Sequence, residues 1–153
     1  MTGRILKRLA ELGVELPKPP AAVASYIPTV ITGKLLFISG QVSFHNGKLI
    51  PGKLGAGLDI EAGQKAARAC ALNLLAQAQA ALGDLDRIKR CVKLTGFVNA
   101  APDFTDHPKV INGASDLMVE VFGDAGRHAR AAVGSSSLPL GAAVEVEAIF
   151  EIE

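Results

Sequence analysis

Ile5, Leu6, Leu9 and Leu12 fall at helical spacing and stop at Gly13, which predicts a short amphipathic helix closed by its glycine. A proline-rich connector, Pro17-Lys18-Pro19-Pro20, leads on to Tyr26, the only tyrosine. The run Lys34–Ser39 is apolar on both faces and predicts a strand, broken by Gly40-Gln41 before Val42-Ser43-Phe44. Asn46-Gly47 is the dipeptide of a tight hairpin turn, and the glycine-rich stretch Gly52–Gly57 reads as a loop. From Ile60 to Leu82 the chain is rich in alanine and leucine and free of proline. That composition predicts a long helix, ended by Gly83-Asp84.

From Ile88 to Val98 the pattern switches to strand chemistry, with Val92, Leu94, Gly96 and Val98 on one face and Cys91, Lys93, Thr95 and Phe97 on the other. Pro108 stands where a first-turn proline belongs. Val110, Ile111, Ala114, Leu117, Met118, Val121 and Phe122 follow with the repeat of a helix that buries one face and ends near Gly123. Two strands close the chain, about Ala129 to Ser135 and Ala142 to Ile152. This order predicts an α+β sandwich in one domain over 1–153, with a mixed sheet and the two main helices on one face. Helices on one side leave the other side of an apolar sheet open, so self-association that buries it is expected.

Composition narrows the function classes. The 153 residues are 49% hydrophobic, enough for a full core. Sixteen basic residues against fifteen acidic ones give a formal charge of +1, with no basic stripe of the kind a nucleic-acid backbone requires. The N-terminus interrupts its apolar residues with Arg4, Lys7 and Arg8, unlike a signal peptide, and no stretch is long and apolar enough to span a membrane. A cytoplasmic protein is expected. Cys70 and Cys91 lack a CxxC spacing and read as a reduced, buried pair. His45, His107 and His128 have no metal-ligand spacing, so no metal is expected, and no glycine-rich phosphate cradle is present to hold a nucleotide cofactor.

The candidate chemistry concentrates at the C-terminal end. Arg130 sits among Ala129, Ala131, Ala132 and Val133, which read as partly buried strand, where arginine is uncommon unless paired or bound to an anion. Its planar fork grips a carboxylate with two hydrogen bonds. An internal salt bridge to Glu145 or Glu147 explains it equally well on periodicity alone. On the last strand Glu145, Glu147, Glu151 and Glu153 share a face with Ile149; a solvated edge accounts for Glu151 and Glu153, while Glu145 lies nearest the strand entry. Ser135-Ser136-Ser137 lacks a nucleophile elbow and reads as strand-end solvation. Tyr26 taken alone reads as a half-buried surface aromatic.

Tyr26, then Gln41 fifteen positions later in Leu36-Phe37-Ile38-Ser39-Gly40-Gln41, then Ala129-Arg130, Leu138-Pro139 and Val144-Glu145-Val146-Glu147-Ala148 together resemble the Rid (YjgF, L-PSP-type) family of reactive enamine/imine deaminases. The resemblance runs from about Tyr26 to the end, and the spacing from Arg130 through Leu138-Pro139 to Glu145 matches without a gap. It implies a chorismate-mutase-like fold and a homotrimer with clefts between subunits. Arg130 would hold the carboxylate of a 2-iminoacid, and Glu145 would position the attacking water. Tyr26 would reach in from a neighbouring subunit, and Ser39, Gly40, Ala132 and Asn112 would border the cleft. No cofactor is implied. A carboxylate-binding or chaperone-like trimer without catalysis is the alternative, and ribonuclease activity follows only from an older family name. Five features depart from the pattern: His128 in place of a proline or alanine, Ala132 in place of a frequent cysteine, the Gly52 to Gly57 loop, extra residues around Thr105 to Lys109, and an N-terminal helical extension over 1–16.

Overall fold

The computed structural model describes residues 3–19 and 25–153; Met1, Thr2 and Pro20 of the connector lie outside them. Helix α1, Arg4–Glu11, buries Ile5 and Leu9 in the main core. Its entry is held from a distance: the Asp86 carboxylate accepts from the backbone N–H groups of Arg4 (2.7 Å) and Ile5 (2.8 Å). These are donors that a helix start leaves without partners. They hold the Asp86 carboxyl below its ordinary range, the Ile5 bond foremost. A depressed carboxylate contributes stability above its unfolded pKa and loses it as pH falls through the folded one. Asp86→Ala is therefore expected to cost about 1 kcal/mol at neutral pH, with the loss shrinking in acid, as read from denaturant titrations at both pH values.

The strands are β1 (Thr29–Thr32), β2 (Leu35–Val42), β3 (Phe44–His45), β4 (Lys48–Leu49), β5 (Lys53–Leu54), β6 (Gly57–Leu58), β7 (Ile88–Asn99), β8 (Ala129–Ser135) and β9 (Val144–Ile152). Helix α2 spans Ile60–Leu82 and α3 spans His107–Phe122. The main sheet has the order β1-β2-β9-β7-β8, with β7 and β8 parallel and the other pairs antiparallel. This is the mixed sheet expected, with α2 and α3 packed on one face.

Helix α2 begins where Asp59 accepts from Ala62 N–H at 2.8 Å and ends at Gly83, whose φ of +78° suits a left-handed cap. Its small side chains let it sink deep: Ala66, Ala67, Cys70, Ala71, Leu74, Leu75 and Ala78 are fully buried. Helix α3 packs so closely on α2 that a methyl group on Gly113 would overlap the Gln64 carbonyl. Val144, Val146, Ala148, Phe150 and Ile152 of β9 face these helices, as their alternation predicts.

Three local expectations are corrected. Strand β1 was not anticipated; it is only four residues long and joins β2 through a two-residue turn led by Gly33, φ +57°. Gly40-Gln41 does not end the second strand; β2 runs through it with an irregularity between Ile38 and Gln41. In β7, Cys91 and not Val92 is buried with Leu94, Gly96 and Val98, because register shifts between Ile88 and Arg90 and between Cys91 and Lys93 change the phase of the alternation. The loop over 52–57 contributes two-residue pieces of strand, and Asn46 and Gly47 both adopt positive φ, 52° and 75°, as a type I′ turn demands.

The face of the sheet away from the helices is open. Val30, Phe37 and Val133 are exposed there, beside the half-buried Ile149 and Phe97. Among the described residues no helix is long and apolar enough to cross a membrane.

Candidate active site

Strand β8 is a sheet edge, paired only with β7, and it sets Arg130 opposite Leu94 on the helix-covered side. Asn112 and Ser115 stand three residues apart on α3 and so project from one face of it. Arg130 Nη1 donates to Asn112 Oδ1 at 2.8 Å and to Ser115 Oγ at 3.1 Å. Both acceptors are neutral. Arg130 is in none of the four ion pairs among the described residues, so the salt bridge to Glu145 or Glu147 does not form within the chain. The expectation of a partly buried arginine is also corrected: as an edge residue it is exposed. Its Nε and Nη2 edge makes no hydrogen bond to a described residue, which leaves a fork for a carboxylate.

Glu145 lies in β9 between Val42 of β2 and Phe97 of β7, half-buried on the open face. Its carboxylate rests on Gly40, where a side chain would meet Oε2 and push the Glu145 carboxylate out of this position. Burial pushes the Glu145 pKa up, and the neighbouring Glu147 adds to the rise. A raised carboxyl favours its neutral form in the folded state. That contribution is present below the unfolded pKa and is lost as pH rises through the folded one. Glu145→Gln is therefore expected to unfold at a higher temperature than the native chain at pH 7, with the gain fading below the ordinary carboxylate range, a comparison calorimetry makes directly.

Arg130 and Glu145 do not share a pocket within one chain, contrary to the simplest reading of their proximity in sequence. Glu145 is aligned with Phe97 and, through it, with Val133, so it sits two strands across from β8 and three residues along from Arg130. That amounts to roughly 10 Å in each direction, on opposite faces of the sheet. Ala132 shares the row of Arg130 and is half-buried against the core. Tyr26 is 53% exposed and precedes β1, at the far edge of the sheet. Ser39 donates its N–H to Pro28 O at 2.9 Å, and its own carbonyl accepts from Gln41 Nε2 at 3.1 Å, so the backbone leading to Gly40 is held on both sides. The site residues thus form two groups. Arg130, Ala132 and Asn112 lie along the β8 edge; Glu145, Ser39 and Gly40 lie toward the other edge, with Tyr26 beyond them.

Ser115 and Lys53 were not anticipated as neighbours of this region, and the contact of His128 with Ser115 was not either. Ser115 carries a signal in retrospect, its i, i+3 relation to Asn112. Lys53 carries none: it comes from the glycine-rich stretch, and its Nζ donates to Asn99 Oδ1 at 2.8 Å and to the Ser136 carbonyl, fixing the chain between β8 and Leu138-Pro139. Ser135 Oγ bonds the Ser137 carbonyl at 2.7 Å, in keeping with a strand-end role for the serine run.

Residues 6–152 match the family described as "YjgF/chorismate_mutase-like, putative endoribonuclease". The chain belongs to this family. The YjgF-family chain is 52% identical over 153 residues to Protein TCP17 of Trypanosoma cruzi, covering 99% of this chain and 96% of that one. It is similar to the crystal structure of Atu1372 from Agrobacterium tumefaciens, a protein of unknown function, with 49% identity, a TM-score of 0.91 and coverage of 98% and 93%. RidA from the Antarctic bacterium Psychrobacter shares 29% identity at a TM-score of 0.62, over 88% of this chain and 94% of that one. The Rid resemblance of the Arg130 and Glu145 segments is thereby placed on a shared α+β fold.

Proposed function

We propose that this YjgF-family protein hydrolyses 2-iminoacids or their enamine forms to 2-oxoacids and ammonia, in a cleft completed by a second copy of the chain. The observation that carries the reading is the state of Arg130. It is an exposed guanidinium held by two neutral side chains, paired with no acid among the described residues and with a free edge for an anion. Membership in a family that includes RidA supports the same chemistry.

The second copy follows from the separation of the two groups. A contact that sets the β8 edge of one subunit against the Gly40, Glu145 and Tyr26 region of the next joins different surfaces of the two molecules. Such head-to-tail contacts repeat around a ring when the rotation closes, and a homotrimer is the closure proposed. The same contact covers Phe37, Val30 and Val133, which stay exposed in a single chain.

In this reading Arg130 fixes the substrate carboxylate through paired charge-assisted bonds, and Asn112 and Ser115 keep the guanidinium in place. Glu145, with its raised pKa, takes a proton from water as the oxygen bonds to the imine carbon and the C=N π electrons pass to nitrogen. That proton passes to the nitrogen to give the carbinolamine. Glu145 then takes the carbinolamine hydroxyl proton and delivers it to the amine as the C=O bond forms and the C–N bond breaks, so ammonia departs and the 2-oxoacid remains. A general base of this kind contributes about 10²–10⁴-fold, and the already electrophilic imine needs little more. Ammonia release from imines generated in situ by an amino-acid oxidase tests the reading: acceleration over the spontaneous rate supports it. Pyruvate binding without acceleration would instead mark a carboxylate-binding protein. The formal charge of +1 and the absence of a basic stripe give no support to RNA cleavage.

A further inference from the structure

His128 departs from the family's usual small residue before Ala-Arg, and its surroundings assign it a task. Its Nδ1 lies 2.6 Å from the Gly126 carbonyl and its Nε2 lies 2.9 Å from Ser115 Oγ, the same oxygen that accepts from Arg130. A carbonyl only accepts, so Nδ1 carries the proton. In the neutral ring Nε2 is then the acceptor, and Ser115 donates its hydroxyl proton to it. The lone pairs of Ser115 are left facing a guanidinium, which only donates. Every polarity in the chain Gly126–His128–Ser115–Arg130 is fixed by its ends. The anchor is firm as well: Gly126 is buried in the 3₁₀ turn Gly123–Gly126 that follows α3, seated so closely on the Met118 carbonyl that no side chain fits.

We propose that His128 is a positioning residue for the substrate carboxylate, acting through Ser115 to hold the Arg130 fork at one angle. The inference rests on the carboxylate-holding role proposed for Arg130. Without the imidazole, the Ser115 hydroxyl is free to turn back to the carbonyl four residues earlier in α3, as helical serines do. Arg130 then keeps only Asn112 as a fixed reference. The Ser115–His128 pair also has the look of a nucleophile and its base, but mid-helix N–H groups are spent on the helix, leaving no local oxyanion hole. The pair serves to orient, with Arg130 as the group that touches substrate.

The test uses pyruvate as the ligand in calorimetry and in situ imines in turnover, on the full chain. His128→Ala and Ser115→Ala are expected to weaken pyruvate binding about three- to tenfold, the effect of one hydrogen bond in the network. KM should rise by a similar factor while kcat changes less than about twofold. His128→Gln, whose amide oxygen can accept from Ser115, should recover binding; it and Ser115→Ala decide the question if the alanine variant at 128 does not fold. Nitrogen-15 spectra should show His128 protonated at Nδ1 alone. An Nε2-protonated neutral ring, or native affinity in both His128→Ala and Ser115→Ala while Arg130→Ala loses binding, would overturn the positioning role and leave the Arg130 reading intact. Native affinity in Arg130→Ala would overturn both.

Discussion

Glu145→Gln is expected to lower ammonia release by roughly 10²–10⁴-fold while pyruvate affinity stays close to that of the native protein. Glutamine keeps the size of the side chain over Gly40 and still accepts a hydrogen bond from water, but it cannot take the proton. The raised pKa of Glu145 comes first from burial and then from Glu147, so both the basicity and the cost of the charge have one source. The variant should therefore be slower and, at neutral pH, harder to melt. A variant equally slow but less stable would point to damaged packing around Gly40. Parallel turnover and melting measurements separate the two.

Arg130→Ala is expected to weaken pyruvate binding by roughly 10–100-fold, the worth of hydrogen bonds to a charged group, and to depress turnover at low substrate by a similar factor. Arg130→Lys should recover only part of this, since an ammonium keeps the charge but not the planar fork. Little structural penalty accompanies either change. Arg130 is exposed, and the acceptors it leaves, Asn112 Oδ1 and Ser115 Oγ, lie where water reaches. Loss of binding with an unchanged melting temperature is the signature to look for.

The elements that could be read from the chain alone are those whose pattern is local. Helix α2 announces itself by an alanine-rich run between Asp59 and Gly83, and β9 by strict alternation from Val144 to Ile152. Where a second strand decides the outcome, local pattern is not enough. The phase of β7 shifts at its bulges, so Cys91 joins the core against expectation, and four-residue β1 exists because it can pair with β2. The candidate site follows the same division. Arg130 and Glu145 are conspicuous in sequence by type and spacing. Their separation of two strands depends on the order β9-β7-β8, and the face Arg130 takes depends on its register with β7, which no local pattern encodes. The partners of Arg130 come from α3: Ser115 is marked in sequence only by its i, i+3 relation to Asn112, and its link to His128 exists only once the fold brings the two together.

The central claim is that one subunit supplies Arg130 and the next supplies Glu145, and mixing two inactive variants tests it most directly. Arg130→Ala and Glu145→Gln chains, each strongly impaired alone at low substrate, are unfolded together in equal amounts, refolded and assayed for ammonia release at low substrate. With random assembly in a closed ring, about one cleft in four pairs an intact Arg130 with an intact Glu145, so about a quarter of the native activity should return. A site built within a single chain would recover nothing, and a mixed assembly as impaired as its parents would contradict the account.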